Sequence, residues 1–388
     1  MTIYTWNFPT TIYFGEGAAQ QIPDVCGELN IQRPLVITDR GLLNVPFVLD
    51  IVDRCKKSGL KAGLFGDVKG NPVGANVAAG IEQYRLGGFD GIIGVGGGSA
   101  LDVAKTVSLV GPGHQTLWQA GGPDEDWSTL PVGQIAPVIA VPTTAGTGSE
   151  VGRSAVITHE TSHTKKIIFH PALMPKRVVA DPLLTRDLPP AFTAATGIDA
   201  FVHCFEALCA PGYHPMAEGI ALEGMRLIAE ALPVAYSNGD DMDARGKMLT
   251  AATMGATAFQ KDLGGVHALA HAVGSLYDLH HGLLNAVLLP YVMKVNRDVI
   301  AEPMQRLGRV LNLPAADFDS VFAWVLALRQ QLAIPHRLLS LGVSATQAEE
   351  VGRRAAADAC APGNPKPLSV DEYQQIFLDA LNGELKVT

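Results

Sequence analysis

Short β-branched runs alternate with helical stretches through the first half of this chain, and near Pro190 the alternation stops. RPLVITD reads as a strand and VPFVLDIVDRCKKSG as a helix, then KAGLFGDV as a strand and NVAAGIEQYRLGG as a helix. FDGIIGVGGGS is a strand running into a glycine turn, with ALDVAKTVSLV the helix beyond. Apolar strands each followed by a helix predict βαβ units, and hence a parallel sheet covered by helices on both faces. APVIAVPTTAGTGSE and AVITH continue the strand-and-loop pattern, and KRVVADPLLTRDLPP adds a strand with a proline-rich exit. Beyond it, FTAATGIDAFVHCFEALCA, MAEGIALEGMRLIAEALPVAYS and ARGKMLTAATMGATAF carry Ala, Leu and Met at helical periodicity. The reading is an α/β domain with a parallel sheet over residues 1–185, joined to an all-helical domain over 186–388.

The 388 residues suffice for two such cores. Acidic residues outnumber basic ones 38 to 29, for a formal charge of −9, and no basic stripe suits a nucleic acid. No apolar run reaches the roughly 18 residues of a membrane span. MTIYTWNFPTTIYFGEG lacks the charged and apolar regions of a signal peptide. The five cysteines form no CxxC pair, so neither a disulfide framework nor a thiolate zinc site is expected, and the expected setting is the reducing cytoplasm.

Gly96, Gly97, Gly98 and Ser99 follow a strand and open a helix. Glycines let the backbone approach a pyrophosphate, and a helix N-terminus supplies N–H groups and the positive end of a dipole. A GxGxxG fingerprint starting at Gly94 and Gly96 stops at Ser99, and no GK[ST] follows, which disfavours a P-loop. On spacing alone, the same glycines serve a structural tight turn equally well. A second loop, Pro142 to Ser149, carries Thr143, Thr144 and Thr147 after another apolar strand. Two such loops at strand ends suit a dinucleotide lying across the sheet edge. Asp39 ends the strand LVITD, where a carboxylate accepts bonds from a ribose 2′-hydroxyl and repels a 2′-phosphate, favouring NAD over NADP; the other reading is an aspartate that caps the next segment.

Asp199 and His203 stand four apart in an apolar helical stretch, on one face and about one turn from each other. His267 and His281 lie in the most histidine-dense segment of the chain. One carboxylate and three imidazoles suit iron(II), zinc, cobalt or manganese better than calcium. On one straight helix the latter pair would stand roughly 21 Å apart, so a shared ion requires the chain to turn between them. Gly274 and the DLHHG stretch, Asp278 to Gly282, are the two places for that turn.

Taken together these segments resemble the iron-dependent (group III) alcohol dehydrogenase family over essentially the whole chain. GGGSALDVAK, from Gly96 to Lys105, fits that family's GGGSxxDxAK, and PTTAGTGSEV, from Pro142 to Val151, is its second signature. GVHALAHAVG and LHHGLLNAVLLP resemble its histidine block, and CAPGNPKP its C-terminal segment. The resemblance implies a dinucleotide-binding α/β domain and a helical metal domain of the dehydroquinate-synthase-like plan, with the active site in the cleft between them. It makes Asp199, His203, His267 and His281 the metal ligands, and His271 an additional active-site histidine that stands near the metal without binding it. One helical turn beyond His267, His271 is the candidate to shuttle the alcohol proton; the other reading is a buried structural histidine. Ala272 stands where the family often has proline, and His280 beside His281 is set aside because His281 directly precedes Gly282. Iron(II) is the expected ion, with zinc as the alternative, and NAD the expected cofactor.

The implied reaction is hydride exchange between a small primary alcohol or diol and a nicotinamide, giving the aldehyde, with the metal as Lewis acid. Asp102, near the nicotinamide ribose, and Lys105, there or on the surface, complete the cofactor side. Arg153 is either a partner for a substrate carboxylate or phosphonate or a structural or surface arginine, and Phe259, Gln260, Lys261 and Cys360 are candidates for shaping the substrate pocket. Homo-oligomerisation is a further implication. The competing readings are a glycerol-dehydrogenase-like or dehydroquinate-synthase-like enzyme of the same fold, and a non-catalytic metal- or nucleotide-binding protein.

Overall fold

The computed structural model describes residues 7–122, 124–162 and 164–385, which divide into two compact units. One comprises 8–144 and 148–187; the other comprises 188 onward together with Asn7 and the tripeptide Ala145–Thr147.

The first unit is built on strands β1 (Thr11–Phe14), β2 (Pro34–Ile37), β3 (Gly63–Phe65), β4 (Gly91–Gly96), β5 (Val138–Pro142) and, later in the chain, β8 (Arg177–Ala180). They form one sheet of order β1-β8-β5-β4-β2-β3, parallel at every pairing. Helices α1 (Ile22–Glu28), α2 (Pro46–Lys57), α3 (Gly74–Gly87), α4 (Gly98–Val110) and the short α5 (Leu117–Ala120) supply the connections. Successive strand residues face opposite sides, and both sides are apolar, as a doubly covered parallel sheet requires. Leu35, Ile37, Ile92 and Val138 pack with Val77 and Ile81 of α3 and Val103 and Val107 of α4. Val36, Ile93, Val95, Ile139 and Val141 pack on the other side with Ile22 and Val25 of α1 and Val48 and Ile51 of α2. The expected parallel sheet with helices on both faces is therefore present. A hairpin outside the sheet, β6 (Ser154–His159) paired antiparallel with β7 (Thr164–Phe169), adds Ala155, Ile157 and Ile168 to the α3–α4 side.

The second unit is helical: α6 (Pro190–Cys209), α7 (Pro215–Ser237), α8 (Met242–Ala258), α9 (Gly265–Tyr277), α10 (His281–Asn296), α11 (Ala301–Val310), α12 (Phe318–Gln331), α13 (Ala348–Ala356) and α14 (Val370–Asn382). Its core is one contiguous cluster running from Ala194 on α6 to Leu381 on α14. Helix α6 is buried on every side from Thr193 to Cys209, so each polar side chain on it requires a partner. The reversal demanded between His267 and His281 occurs at Asp278, a left-handed residue (φ 51°) that ends α9, and α10 restarts at His281. Gly274 does not break the chain; it lies inside α9. Among the described residues no helix is long and apolar enough to cross a membrane.

Candidate functional site

In the sheet unit the chain goes from β2 outward to β3, then back across to β4 and on to β5. Asp39 follows β2 and the glycines follow β4, so they flank the point where strand order reverses, which is where open α/β sheets bind ligands. Gly96 has φ 149°, outside the range of ordinary residues, and a Cβ there would fall 2.7 Å from that of Ala100. Gly97 and Gly98 then open α4, whose first turn carries no side-chain cap. Thr143 donates its amide to the Gly96 carbonyl at 3.1 Å, and the Thr144 hydroxyl stands beside Gly97. Asp39 reaches the same place from β2, with one carboxylate oxygen toward Gly96 and the other accepting from the amides of Gly41 (2.9 Å) and Leu42 (3.0 Å). Burial holds this carboxyl above its ordinary pKa, against those amide bonds. Asp39, Gly96, Gly97, Gly98, Ser99, Thr143 and Thr144 thus gather at the ends of three adjacent strands. Thr147 belongs to the helical unit.

Two neighbours have a different employment from the one their sequence positions suggest. Asp102 accepts from the Ser149 hydroxyl (2.5 Å) and the Val156 amide (2.9 Å), so both of its oxygens hold β6 and the preceding turn onto α4. Lys105 is not a surface residue: at 1% exposure it pairs with Asp102 (3.2 Å) and donates to the carbonyls of Ser149 (3.0 Å) and Ser154. Arg153 lies over the Phe169 ring of the hairpin, 5.5 Å from its centroid.

In the helical unit, ligand atoms of Asp199, His203, His267 and His281 all lie within 4.8 Å of one another. Helix α6 contributes the first two, one turn apart; α9 and the first residue of α10 contribute the others. Asp199 Oδ1 stands 3.7 Å from His281 Nε2 and 3.9 Å from His203 Nε2. Bonds of about 2.1 Å to one ion place two donors no more than about 4.2 Å apart, so these separations fit a shared divalent cation. Burial drives His203 down to about pKa 4, which keeps it the neutral imidazole that ligation needs. His267 shifts the other way: burial disfavours its cation, but Glu206 and Asp199 outweigh it, so the local field welcomes positive charge. His280 is exposed, caps α10 by accepting from the Leu283 amide, and meets Phe192 edge-on.

Three residues that the sequence reading did not single out complete this cluster. Glu206, one further turn along the α6 face that carries Asp199 and His203, bonds His267 Nδ1 at 2.6 Å and accepts from the Val266 amide at 2.7 Å. Asn285, one turn after His281, donates through Nδ2 to Asp199 Oδ1 at 2.6 Å, and that nitrogen is 3.2 Å from His267 Nε2 and 3.1 Å from His281 Nε2. Asp358 bonds His271 Nδ1 at 3.0 Å and accepts from the Cys360 amide. Helical spacing would have exposed Glu206 and Asn285; nothing local marks Asp358, which is 87 residues from its partner.

His271 lies one turn after His267, and its ring stacks on His281 with centroids 5.3 Å apart. Burial works against the Asp358 carboxylate, yet His271 holds it below the ordinary aspartate value. An ionised acceptor at Nδ1 makes that nitrogen the protonated one and leaves Nε2 as the basic atom. Of the candidate pocket residues, Phe259 meets the His203 ring edge-on at 5.3 Å, and Cys360 is a buried thiol, pushed well up in pKa by burial, beside His271 and Asp358. Gln260 accepts from the Asn7 amide. Lys261 is buried and paired with Glu218 at 2.8 Å, so it is part of the scaffold.

Comparison with known proteins agrees with this geometry. The family model for iron-containing alcohol dehydrogenase matches residues 9–182, and that for the C-terminal part of the Fe-containing alcohol dehydrogenase family matches 193–381. The 4-hydroxybutyrate dehydrogenase of Cupriavidus necator is 38% identical over 378 residues, covering 95% of this chain and 97% of the relative. The 1,3-propanediol dehydrogenase of Klebsiella pneumoniae is 32% identical, covering 97% of this chain and 99% of its own. Among solved structures, a 1,3-propanediol oxidoreductase superposes with a TM-score of 0.91 at 31% identity, covering 98% of this chain and 100% of the other. An alcohol dehydrogenase from Oenococcus oeni gives 0.90 at 32%, covering 97% and 100%.

Proposed function

The chain belongs to the iron-containing alcohol dehydrogenase family, an NAD(H)- and divalent-metal-linked group of oxidoreductases, and on that premise we propose how its own residues carry the interconversion of a small alcohol and its aldehyde. The observation that carries the reading is the convergence of one carboxylate and three imidazoles from three helices on a point that a divalent ion fits. Asp199, His203, His267 and His281 hold the ion, which is iron(II), with zinc(II) as the alternative. When bound, it supplies Lewis acidity toward an alcohol or carbonyl oxygen. An ion held by these four side chains would need a further coordination position to take the substrate oxygen, as iron(II) would provide.

The remaining work falls to side chains. His271 takes the alcohol proton at Nε2, and Asp358 holds the ring in the tautomer that leaves this atom basic. Gly96, Gly97, Gly98 and Ser99 cradle the pyrophosphate of NAD at the start of α4, with Thr143 and Thr144 beside it. Asp39 receives the adenosine ribose and selects NAD over NADP. Asp102 acts from one step behind, holding the Ser149 turn in place.

The relatives acting on 4-hydroxybutyrate and 1,3-propanediol share a short primary alcohol with a polar group at the far end of its chain. That class, short diols and ω-hydroxy acids with their aldehydes, is the proposed substrate. The same family reading extends to a cytoplasmic homo-oligomer. The test is NADH formation by chelated protein to which iron(II) or zinc(II) is returned separately, with simple alcohols, diols and ω-hydroxy acids supplied in parallel. Activity restored by one ion on the bifunctional alcohols is the expected result. Absence of turnover with every ion and substrate, in protein that binds both metal and NAD, would overturn the catalytic assignment.

A further inference from the structure

Glu206 occupies an unusual place: a carboxylate 5% exposed, on a helix that is buried all round. Such a group is costly to bury unless both oxygens are paired. Its two partners are consecutive residues of another helix, the Val266 amide and His267 Nδ1. Helix α9 starts at Gly265 behind Gly264, which has no side chain with which to cap it. The first amides are satisfied from elsewhere in the chain, Gly265 by the Asn364 side chain (3.2 Å) and Val266 by Glu206. A carboxylate at that end is also favoured by the helix dipole. The bond that fastens α9 to α6 therefore comes from the residue that orients His267.

With a carboxylate oxygen 2.6 Å from Nδ1, His267 carries its proton on that nitrogen, and Nε2 is left with a lone pair directed at Asp199, His203 and His281. We propose that Glu206 is a positioning residue for the metal: it sets the tautomer and rotation of His267 and thereby the affinity of the site for a divalent ion. The inference rests on the metal centre proposed above. Outer carboxylates of this kind typically tune affinity by about 10–100-fold.

The substitution Glu206→Gln nearly preserves volume and separates this role from simple packing. A glutamine carries one carbonyl oxygen, so it cannot stand in for both Oε1, which takes the Val266 amide, and Oε2, which takes His267. If the oxygen keeps the Val266 amide, the NH2 faces His267 Nδ1, turns it into an acceptor and moves the ring proton to Nε2, where it blocks ligation. If the oxygen faces His267 instead, the NH2 meets the Val266 N–H donor to donor, and the start of α9 is pushed away with His267 on it. The measurement is the zinc(II) dissociation constant by competition with a chromophoric chelator, on wild-type and E206Q protein, with far-UV circular dichroism and NAD binding recorded on both. The expected result is a zinc constant weakened about 10–100-fold with spectrum and NAD affinity retained. Wild-type zinc affinity in folded E206Q would overturn the inference while leaving the metal centre standing. Failure of the wild-type protein itself to bind zinc or iron(II) would overturn the metal centre, and this inference with it. A second measurement needs no variant: histidine side-chain nitrogen NMR of zinc-loaded wild-type protein should show His267 protonated at Nδ1 and ligating through Nε2. The opposite assignment would refute the role of Glu206 even if E206Q failed to fold.

Discussion

Adding one methyl group at Gly282 should disable the metal centre without touching a ligand. Gly282 follows His281 in the first turn of α10, where that helix leans on α6. A Cβ there would fall 2.6 Å from the Ala195 carbonyl oxygen and 3.1 Å from the Asp199 Cβ. Ordinary contact begins at 3.4 Å. The obstacle is helical backbone, which cannot turn aside as a side chain would, so the start of α10 must retreat by about 0.8 Å. His281 moves with it. Its Nε2 stands 3.7 Å from Asp199 Oδ1, near the roughly 4.2 Å that two bonds to one ion span, and a shift of that size disturbs this spacing. Metal sites tolerate about 0.2 Å. Gly282→Ala should therefore weaken zinc(II) or iron(II) binding about 10–100-fold, with an overpacking cost of about 1–3 kcal/mol. Chelator competition measures the first and urea denaturation the second. The control is Gly219→Ala on α7, where a Cβ meets nothing within 4 Å; both quantities should stay near wild-type. Unaltered metal affinity in folded Gly282→Ala would refute the claim that α6 and α10 fix the ligand spacing.

Three other substitutions test separate parts of the reading. Asp358→Asn should present an NH2 to His271 Nδ1, reverse its tautomer and lower kcat by about 100-fold, with metal content and NAD affinity unchanged; wild-type kcat would remove Asp358 from proton transfer. Asp39→Asn keeps an acceptor for the Gly41 and Leu42 amides but drops the charge, and should raise the NADP/NAD ratio of kcat/KM about tenfold; an unmoved ratio would exclude Asp39 from the ribose site. Lys105→Met should destabilise the sheet unit by about 3 kcal/mol, since it strips the donor from Asp102 and two carbonyls, and the denaturation midpoint reports it. A midpoint within error of wild-type would show that the buried ion pair contributes nothing net.

How much of this was legible beforehand follows from the range over which each interaction acts. Strands β2, β4 and β5 are continuous apolar runs followed by helix or loop punctuation, so their burial on both sides is written locally. The edge strand β1 and the second hairpin strand β7 are not: Phe14 and Phe169 are exposed, and TKKIIF buries Ile168 while leaving Ile167 exposed, which gives no strong apolar run. Asp199 and His203 announce themselves by a one-turn spacing, and the need for a turn before His281 follows from helix rise alone. The second layer is harder to read. Glu206 lies on the same helical face but looks like any solvated glutamate until the helix is known to be buried. Asp358 finds His271 only through the packing of α13 against α9, a long-range event that leaves no local pattern. Asp102 and Lys105 have the opposite history: a motif marks them, and the structure shows both occupied in holding the hairpin to α4.

The tripeptide Ala145–Thr147 has a bearing on how such a chain can be inherited. It lies in the middle of the stretch that forms the sheet unit, yet belongs to the helical one, where a Cβ on Gly146 would fall 2.6 Å from that of Thr196 on α6. A gene cut near codon 187 would deliver an apparently whole helical half without this tripeptide, and a sheet half carrying a loop with no home. Exchange of halves between relatives is then constrained by more than the junction: the incoming α6 must suit a tripeptide encoded some forty codons upstream. The two halves of the gene are expected to vary together at those positions.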